Sequence, residues 1–213
     1  MTNQPLLILG AGGHAAVLVD ILFSCDRKLS GIVSPEMDSY RQIFDGIKHY
    51  SSDDDVLLFT KDSVRLVNGV GSLPNNDLRT QLYQQFEMKG YQFETVIAPS
   101  AIVSDYAEVG EGVQVMQGAI INAGAKIGNN TIVNTGAIVE HDCHIGAHNH
   151  IAPGVVLSGQ VVTADHVHIG TGANIKQCIS IGEHAVISMG AAVYKNVPSG
   201  HNIYGCRMKM SKK

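Results

Sequence analysis

From Ile97 to Pro198 the chain repeats every six residues without interruption. Seventeen hexads follow one another, the first beginning at Ile97 and the last at Val193. Sixteen of the seventeen first positions hold Ile, Val or Leu, types that make up about a quarter of the chain; only Thr163 departs. The fifth position is Ala, Val or Ile in fourteen of the seventeen. A short fixed period is the signature of a solenoid, in which each repeat packs only on its neighbours. A six-residue period predicts a parallel β-helix with triangular coils, three hexads to a turn. Residues eighteen apart then stack about 4.8 Å apart, the spacing of adjacent strands. The sequence becomes a coarse three-dimensional map.

Composition agrees with this. Of 213 residues only 16% are charged and 23 are glycine, as tight corners and short faces require. A net charge of −4 gives no reason to expect a nucleic-acid partner. No apolar run approaches the length of a membrane-spanning helix. Met1 to Pro5 runs directly into a strand-like segment, without the charged and apolar regions of a signal peptide. Cys25, Cys143, Cys178 and Cys206 are widely spaced and form no CxxC pair. They read as reduced thiols of a cytoplasmic protein.

The first part of the chain has a different pattern. Leu6–Leu9 is a short buried-strand pattern that runs into Gly10-Ala-Gly-Gly-His-Ala15, then into an apolar helical stretch, Ala16 to Phe23. Leu29 to Val33 reads as a second strand, and Arg65 to Gly71 as a strand ending in a glycine turn. Asn75 to Lys89 reads as a helix stopped by Gly90, and Phe93 to Ile97 as a final strand. Alternating strands and helices predict a small Rossmann-like α/β domain with a parallel sheet, residues 1–92, followed by the β-helix, residues 93–213. The polar stretch Asp38 to Asp55 carries no readable pattern.

Gly10-x-Gly12-x-x-Ala15 matches a dinucleotide fingerprint in form, with a helix N-terminus that offers its N–H groups to an anion. A dinucleotide site also needs an acidic residue about 20 positions on, at the end of the second strand. Ser34 and Pro35 stand there instead. A nucleotide or nucleotide-sugar suits the loop better than NAD(P). A purely structural turn is the competing reading.

The eighteen-residue map sorts the ten histidines. His148, His166 and His184 fall in one column, His150 and His168 in a second column of the same face, and His141 alone on another face. The neighbours of His141 in its own column are Ala123 and Gly159, small residues that leave room for a substrate beside the imidazole. Asp142 follows it and Glu140 precedes it. A carboxylate beside an imidazole fixes its tautomer and favours its protonated form. Histidine is also the commonest general base near neutral pH. Two readings of His141 are open, a catalytic base and a solvated surface residue. The histidine columns read as surface, with metal binding or ligand contact as alternatives; imidazoles stacked in register point the same way and do not build a tetrahedral metal site.

Three segments taken together resemble bacterial sugar acyltransferases of the left-handed β-helix (hexapeptide-repeat) superfamily. They are Gly10-Ala-Gly-Gly-His-Ala15, Val67-Asn-Gly-Val-Gly-Ser72 and the hexad array, with Asn134-Thr135 and Ile138-Val-Glu-His-Asp-Cys143 the most specific match. Within that superfamily the chain is similar to the UDP-4-amino-sugar (bacillosamine-type) N-acetyltransferases and to the sialic-acid O-acetyltransferase-like group. The resemblance implies a homotrimer with active sites between subunits and acetyl-CoA as donor, without a metal. It implies His141 as general base and Asp142 as its acidic support. Gly12, Gly13, His14 and Gly71 would hold a nucleotide-sugar, and His150, Thr171 and Met189 would contact acetyl-CoA. Thr171 and Met189 are eighteen apart, so the repeat map independently places them in one column.

The Gly159 N–H is then a candidate oxyanion donor, since Gly159 stacks beside His141. Cys143, at the small core-facing fifth position, reads as packing rather than as a nucleophile. The chain departs from the family pattern at Ser34-Pro35 and at Gly205-Cys-Arg-Met-Lys209. The basic tail, Arg207, Lys209, Lys212 and Lys213, is open to two readings, attraction of CoA phosphates or plain solvation. The expected activity is acetyl-CoA-dependent N-acetylation of a UDP-4-amino-4,6-dideoxy sugar in glycan biosynthesis. An O-acetyltransferase of sialic acid or a related sugar and a non-catalytic trimeric binding scaffold are the alternatives.

Overall fold

The computed structural model describes residues 4–37 and 40–205. Cys206 and the basic tail lie outside the described residues. Two compact units divide the chain, Met1–Pro99 with Glu111–Gln114, and Ser100–Gly110 with Val115–Lys213.

The first unit is an α/β domain. Its strands β1 (Leu6–Leu9), β2 (Leu29–Val33), β3 (His49–Tyr50) and β4 (Arg65–Asn68) form a parallel sheet in the order β3-β2-β1-β4. All four residues of β1 are buried, as expected of a central parallel strand covered on both faces. Helix α1 (Gly13–Ser24) buries Ala15, Leu18, Val19, Ile21 and Leu22, a helical stripe facing the core. Helix α2 (Leu78–Met88) sends Leu82, Tyr83 and Phe86 into a cluster with Leu7, Leu9, Leu66 and Phe93. The rings of Tyr83 and Phe93 stack with centroids 4.4 Å apart.

Two details differ from the sequence expectation. Phe93 does not open a continuous strand; it makes a single parallel bridge to Leu66, and pairing resumes at Val96–Ile97. The polar stretch after β2 contains β3, which joins the sheet at Ile32↔His49. Gly31 permits that pairing, because a Cβ there would stand 2.5 Å from the Tyr50 ring.

The second unit is a left-handed parallel β-helix. Its strands are two residues long and, from Ile102 to Val193, consist of the sixth position of one hexad and the first of the next. One face stacks 102–103, 120–121, 138–139, 156–157, 174–175 and 192–193. A second stacks 108–109, 126–127, 144–145, 162–163 and 180–181. A third includes 132–133, 150–151, 168–169, 186–187 and 202–203. Ile138 pairs with Val156, Ile132 with His150 and Lys126 with His144, each eighteen residues on. The last coil is shorter, Val186 pairing with Asn202. First-position side chains such as Val139, Leu157 and Ile169 fill the interior and are fully buried.

Each hexad turns at its fourth position. From Gly112 to Gly190 all fourteen fourth positions have left-handed backbone. Seven are glycine, and the others are Asn130, Asp142, His148, Gln160, His166, Cys178 and His184, with φ between 56° and 61°. This backbone costs an L-residue about 1–2 kcal/mol, least for Asn and Asp, and none of the seven is β-branched.

The polar exceptions to the hexad rule explain one another. Thr131, Asn149 and Thr163 are buried polar residues in an otherwise apolar bore. Asn149 Nδ2 donates to Thr163 Oγ1 (2.6 Å), its backbone N–H donates to Thr131 Oγ1 (3.0 Å), and its Oδ1 accepts from the Val167 N–H (2.6 Å). Thr131 Oγ1 donates to the Gly146 carbonyl at 2.9 Å. A buried polar group is tolerated where its hydrogen bonds are made, and these are made by the three exceptions together with the backbone.

Candidate functional site

His141 and Asp142 occupy the third and fourth positions of one hexad, on the corner between the first face and the second. The corner is bolted from coil to coil by fourth-position amides. Asp142 N–H donates to the Ala123 carbonyl (3.1 Å), Gln160 N–H to that of His141 (3.0 Å) and Cys178 N–H to that of Gly159 (3.1 Å). Ala123, His141 and Gly159 therefore form one vertical column.

The turn at Asp142 (φ 58°) folds its carboxylate toward the preceding side chain. His141 Nδ1 lies 2.8 Å from Asp142 Oδ2, and both side chains are more than half exposed. The imidazole lies over Gly159: a Cβ on that residue would stand 2.5 Å from Nε2 and 2.6 Å from Cε1. The Gly159 amide has no acceptor among the described residues. With Nδ1–H donated to the carboxylate, Nε2 carries the free lone pair. Cys143 is buried, its Sγ 3.3 Å from the Ser158 carbonyl, and burial pushes its thiol pKa up.

The histidine columns fall elsewhere. The rings of His148, His166 and His184 stack nearly parallel, with centroids 4.9 and 4.8 Å apart, as an eighteen-residue pitch requires. They stand on the corner leading into the third face rather than on the face itself. His150 and His168 are on that face, 4.9 Å apart and edge to face. His150 Nε2 is 3.1 Å from Asn134 Nδ2, and burial lowers the pKa of His168. Thr171 and Met189 lie on the corner after the third face, beside Gly154, Gly172 and Gly190, where a Cβ would meet nothing within 4 Å. Met189 is 74% exposed. Within one chain, His141 and Asp142 therefore stand on one edge of the prism, and His150, Thr171 and Met189 gather around another.

In the first unit the glycine loop and the end of β4 come together. The Cβ of His14 is 3.5 Å from where a Cβ on Gly71 would be, and a Cβ on Gly10 would touch Val70 at 3.2 Å. Helix α1 starts from Gly12 with no side-chain cap and no acidic residue in its first turn. Arg41 Nη2 lies 3.8 Å from a Cβ placed on Gly13. His14 Nε2 is 2.7 Å from Gln114 Oε1, and Gln114 Nε2 donates to the Asn68 carbonyl at 2.8 Å. Gln114 thus turns its oxygen to His14, which makes Nε2–H the donor. Behind them Arg79 is buried and donates to the carbonyls of Asn68 (2.8 Å) and Val70 (2.7 Å). Burial lowers the Arg79 pKa to about 9. Burial, then the Arg79 cation, lowers His14 to about 4, against a raising contribution from Gln114.

Gln114 and Arg79 have no counterpart in the sequence reading, and Asn68 enters it only inside the Val67–Ser72 segment, without a role of its own. Gln114 sits at an outward hexad position, and Arg79 resembles any polar residue of a helix first turn. Their roles come from burial, which a local pattern does not carry.

Comparison with known proteins finds two family matches. Residues 5–86 match the PglD N-terminal domain, and residues 124–159 match the bacterial transferase hexapeptide (six repeats). UDP-N-acetylbacillosamine N-acetyltransferase of Bacillus subtilis (strain 168) is 34% identical over 114 residues, 53% of this chain and 51% of that protein. That alignment spans about half the length of the curated relative. Perosamine N-acetyltransferase from Caulobacter crescentus, a histidine-to-asparagine mutant solved in complex with CoA and GDP-perosamine, is similar throughout. It shares 30% identity at a TM-score of 0.84, over 93% of this chain and 92% of that one. The acetyltransferase domain of PglB from Neisseria gonorrhoeae FA1090, in complex with acetyl coenzyme A, shares 27% identity at a TM-score of 0.85. That match covers 94% of this chain and 96% of the other.

Proposed function

Because the chain belongs to the hexapeptide-repeat sugar N-acetyltransferases, we propose that it transfers an acetyl group from acetyl-CoA to the amine of a UDP-linked 4-amino-4,6-dideoxy sugar, with His141 as general base. The observation that carries this reading is the His141–Asp142 pair, closed at 2.8 Å and lying over Gly159. A surface histidine needs neither the partner nor the glycine.

Acetyl-CoA supplies an activated carbonyl carbon on a good leaving group. The sugar nitrogen forms a bond to that carbon, and the carbon–sulfur bond breaks. His141 Nε2 takes the proton that the nitrogen sheds and returns it to the departing sulfur. Asp142 stabilises the imidazolium between those two events. The Gly159 N–H is free to donate to the oxyanion of the tetrahedral intermediate. No acyl-enzyme is needed, and Cys143, buried and with a raised pKa, is a poor nucleophile.

The glycines beside Thr171 and Met189 leave the fourth positions of that corner without side chains, and against their backbone a slender pantetheine arm fits. The bared N-terminus of α1, with Arg41 near Gly13, suits a diphosphate. The separation of His141 from His150, Thr171 and Met189 supports a homotrimer in which two neighbouring chains complete each site.

CoA release tests the substrate. A UDP-4-amino-4,6-dideoxy sugar is the expected acceptor. Turnover only with the GDP-linked amino-sugar would move the nucleotide, and turnover only with free sialic acid would replace N- by O-acetylation. No release with any of them would leave the scaffold reading.

A further inference from the structure

Asp142 rests on a glycine of its own. Gly124 lies eighteen residues before it, at the same hexad position and with the same left-handed backbone, φ 75° against 58°. A Cβ on Gly124 would collide with Asp142 Oδ1. His141 leans over the coil above, at Gly159, while the Asp142 carboxylate leans over the coil below. Both members of the pair thus occupy space that a neighbouring residue lacks a side chain to fill.

Backbone conformation alone does not demand glycine at 124, because half of the fourteen left-handed corners carry side chains. In this corner column, Gly124, Asp142, Gln160 and Cys178, the one glycine is the residue beneath the carboxylate. At Gly118 and Gly136, on another corner, a Cβ would meet nothing within 4 Å. We propose that Gly124 is a positioning residue for the acetyl transfer: its bare Cα leaves the room in which Oδ1 lies, so that Oδ2 stays against His141 Nδ1. A side chain at 124 would meet the free end of Asp142 rather than backbone, so the carboxylate moves aside while the coil holds. This inference rests on the reading of His141 and Asp142 as the catalytic pair.

The test is steady-state acetyl transfer by Gly124→Ala, alone and in an Asp142→Ala background. Gly200→Ala (φ 70°, open space) controls for backbone strain. Gly124→Ala should lower kcat on the order of 10- to 100-fold with KM unchanged. Gly200→Ala should keep kcat within about twofold at a similar loss of thermal stability. In the Asp142→Ala background, Gly124→Ala should add nothing further, the signature of two residues acting as a unit. Gly124→Asn carries the same Cβ on a residue that tolerates this backbone, and it should reproduce the kcat loss even if the alanine variant folds poorly. Equal kcat in Gly124→Ala and Gly200→Ala, or a full loss that persists without the Asp142 carboxylate, overturns the inference. His141→Asn, run alongside, separates the two levels. A loss there with no effect at Gly124 removes this inference alone, whereas wild-type turnover there removes the catalytic reading and this inference with it.

Discussion

Asp142 Oδ2 lies 2.8 Å from Nδ1 of His141, its neighbour in sequence. In a flat strand adjacent side chains point to opposite faces, and this contact could not form. It forms because Asp142 is the left-handed corner of its hexad, φ 58°, so that the turn every hexad must make also aims the carboxylate. The repeat supplies the turn, and the choice of Asp at that corner converts it into a polarised imidazole.

Gly159→Ala tests the other side of the pair. Gly159 does not have left-handed backbone, so alanine adds no strain of that kind. Its methyl would stand 2.5 Å from His141 Nε2 and must push the ring away. We expect kcat to fall about 10²-fold, the size of effect a displacement of about 1 Å produces. The melting temperature should change little. Unchanged kcat in the alanine variant would remove the ring from the chemistry.

His14 makes stability depend on pH. In the unfolded chain it takes up its proton near pH 6.5, and in the folded domain only near pH 4. Between those values the unfolded state binds more protons, so stability is lost as pH falls through the window. Chemical denaturation at pH 7 and at pH 4.5 should show a smaller decline for His14→Asn than for the wild type. Equal declines would show that His14 protonates freely in the folded domain.

Asn149→Ala should cost stability without touching the site. It leaves the buried Val167 N–H without its acceptor and takes a donor from Thr163. An unsatisfied buried group costs about 1–3 kcal/mol, readable as a lower urea midpoint at unchanged slope. A midpoint equal to that of the wild type would mean that the polar ladder carries no stability.

Much of this was legible in the sequence, for physical reasons. Interior positions of a solenoid are so narrow that Val139, Leu157 and Ile169 advertise the coil. The fixed pitch then places Gly159 against His141 without further information. The fourth position was harder to read, because left-handed backbone accepts Gly, Asn, Asp, His, Gln and Cys alike, a chemically mixed set with no hydrophobic signal. Gln114 and Arg79 were invisible for a related reason. Gln114 bonds His14 and Asn68 from 100 and 46 residues away, Arg79 bonds Asn68 and Val70 from a different element, and no local pattern marks a polar residue that is buried. The two-residue strand His49–Tyr50 is too short for any periodicity, and only the close approach at Gly31 betrays it.

The central claim is that His141 is the base, and turnover of His141→Asn tests it most directly. The measurement is CoA release from acetyl-CoA with the nucleotide-linked 4-amino sugar, on a variant whose circular dichroism and melting temperature match the wild type. The account predicts a fall in kcat of about 10²- to 10⁴-fold, the contribution of a positioned general base. Turnover at the wild-type rate would contradict it.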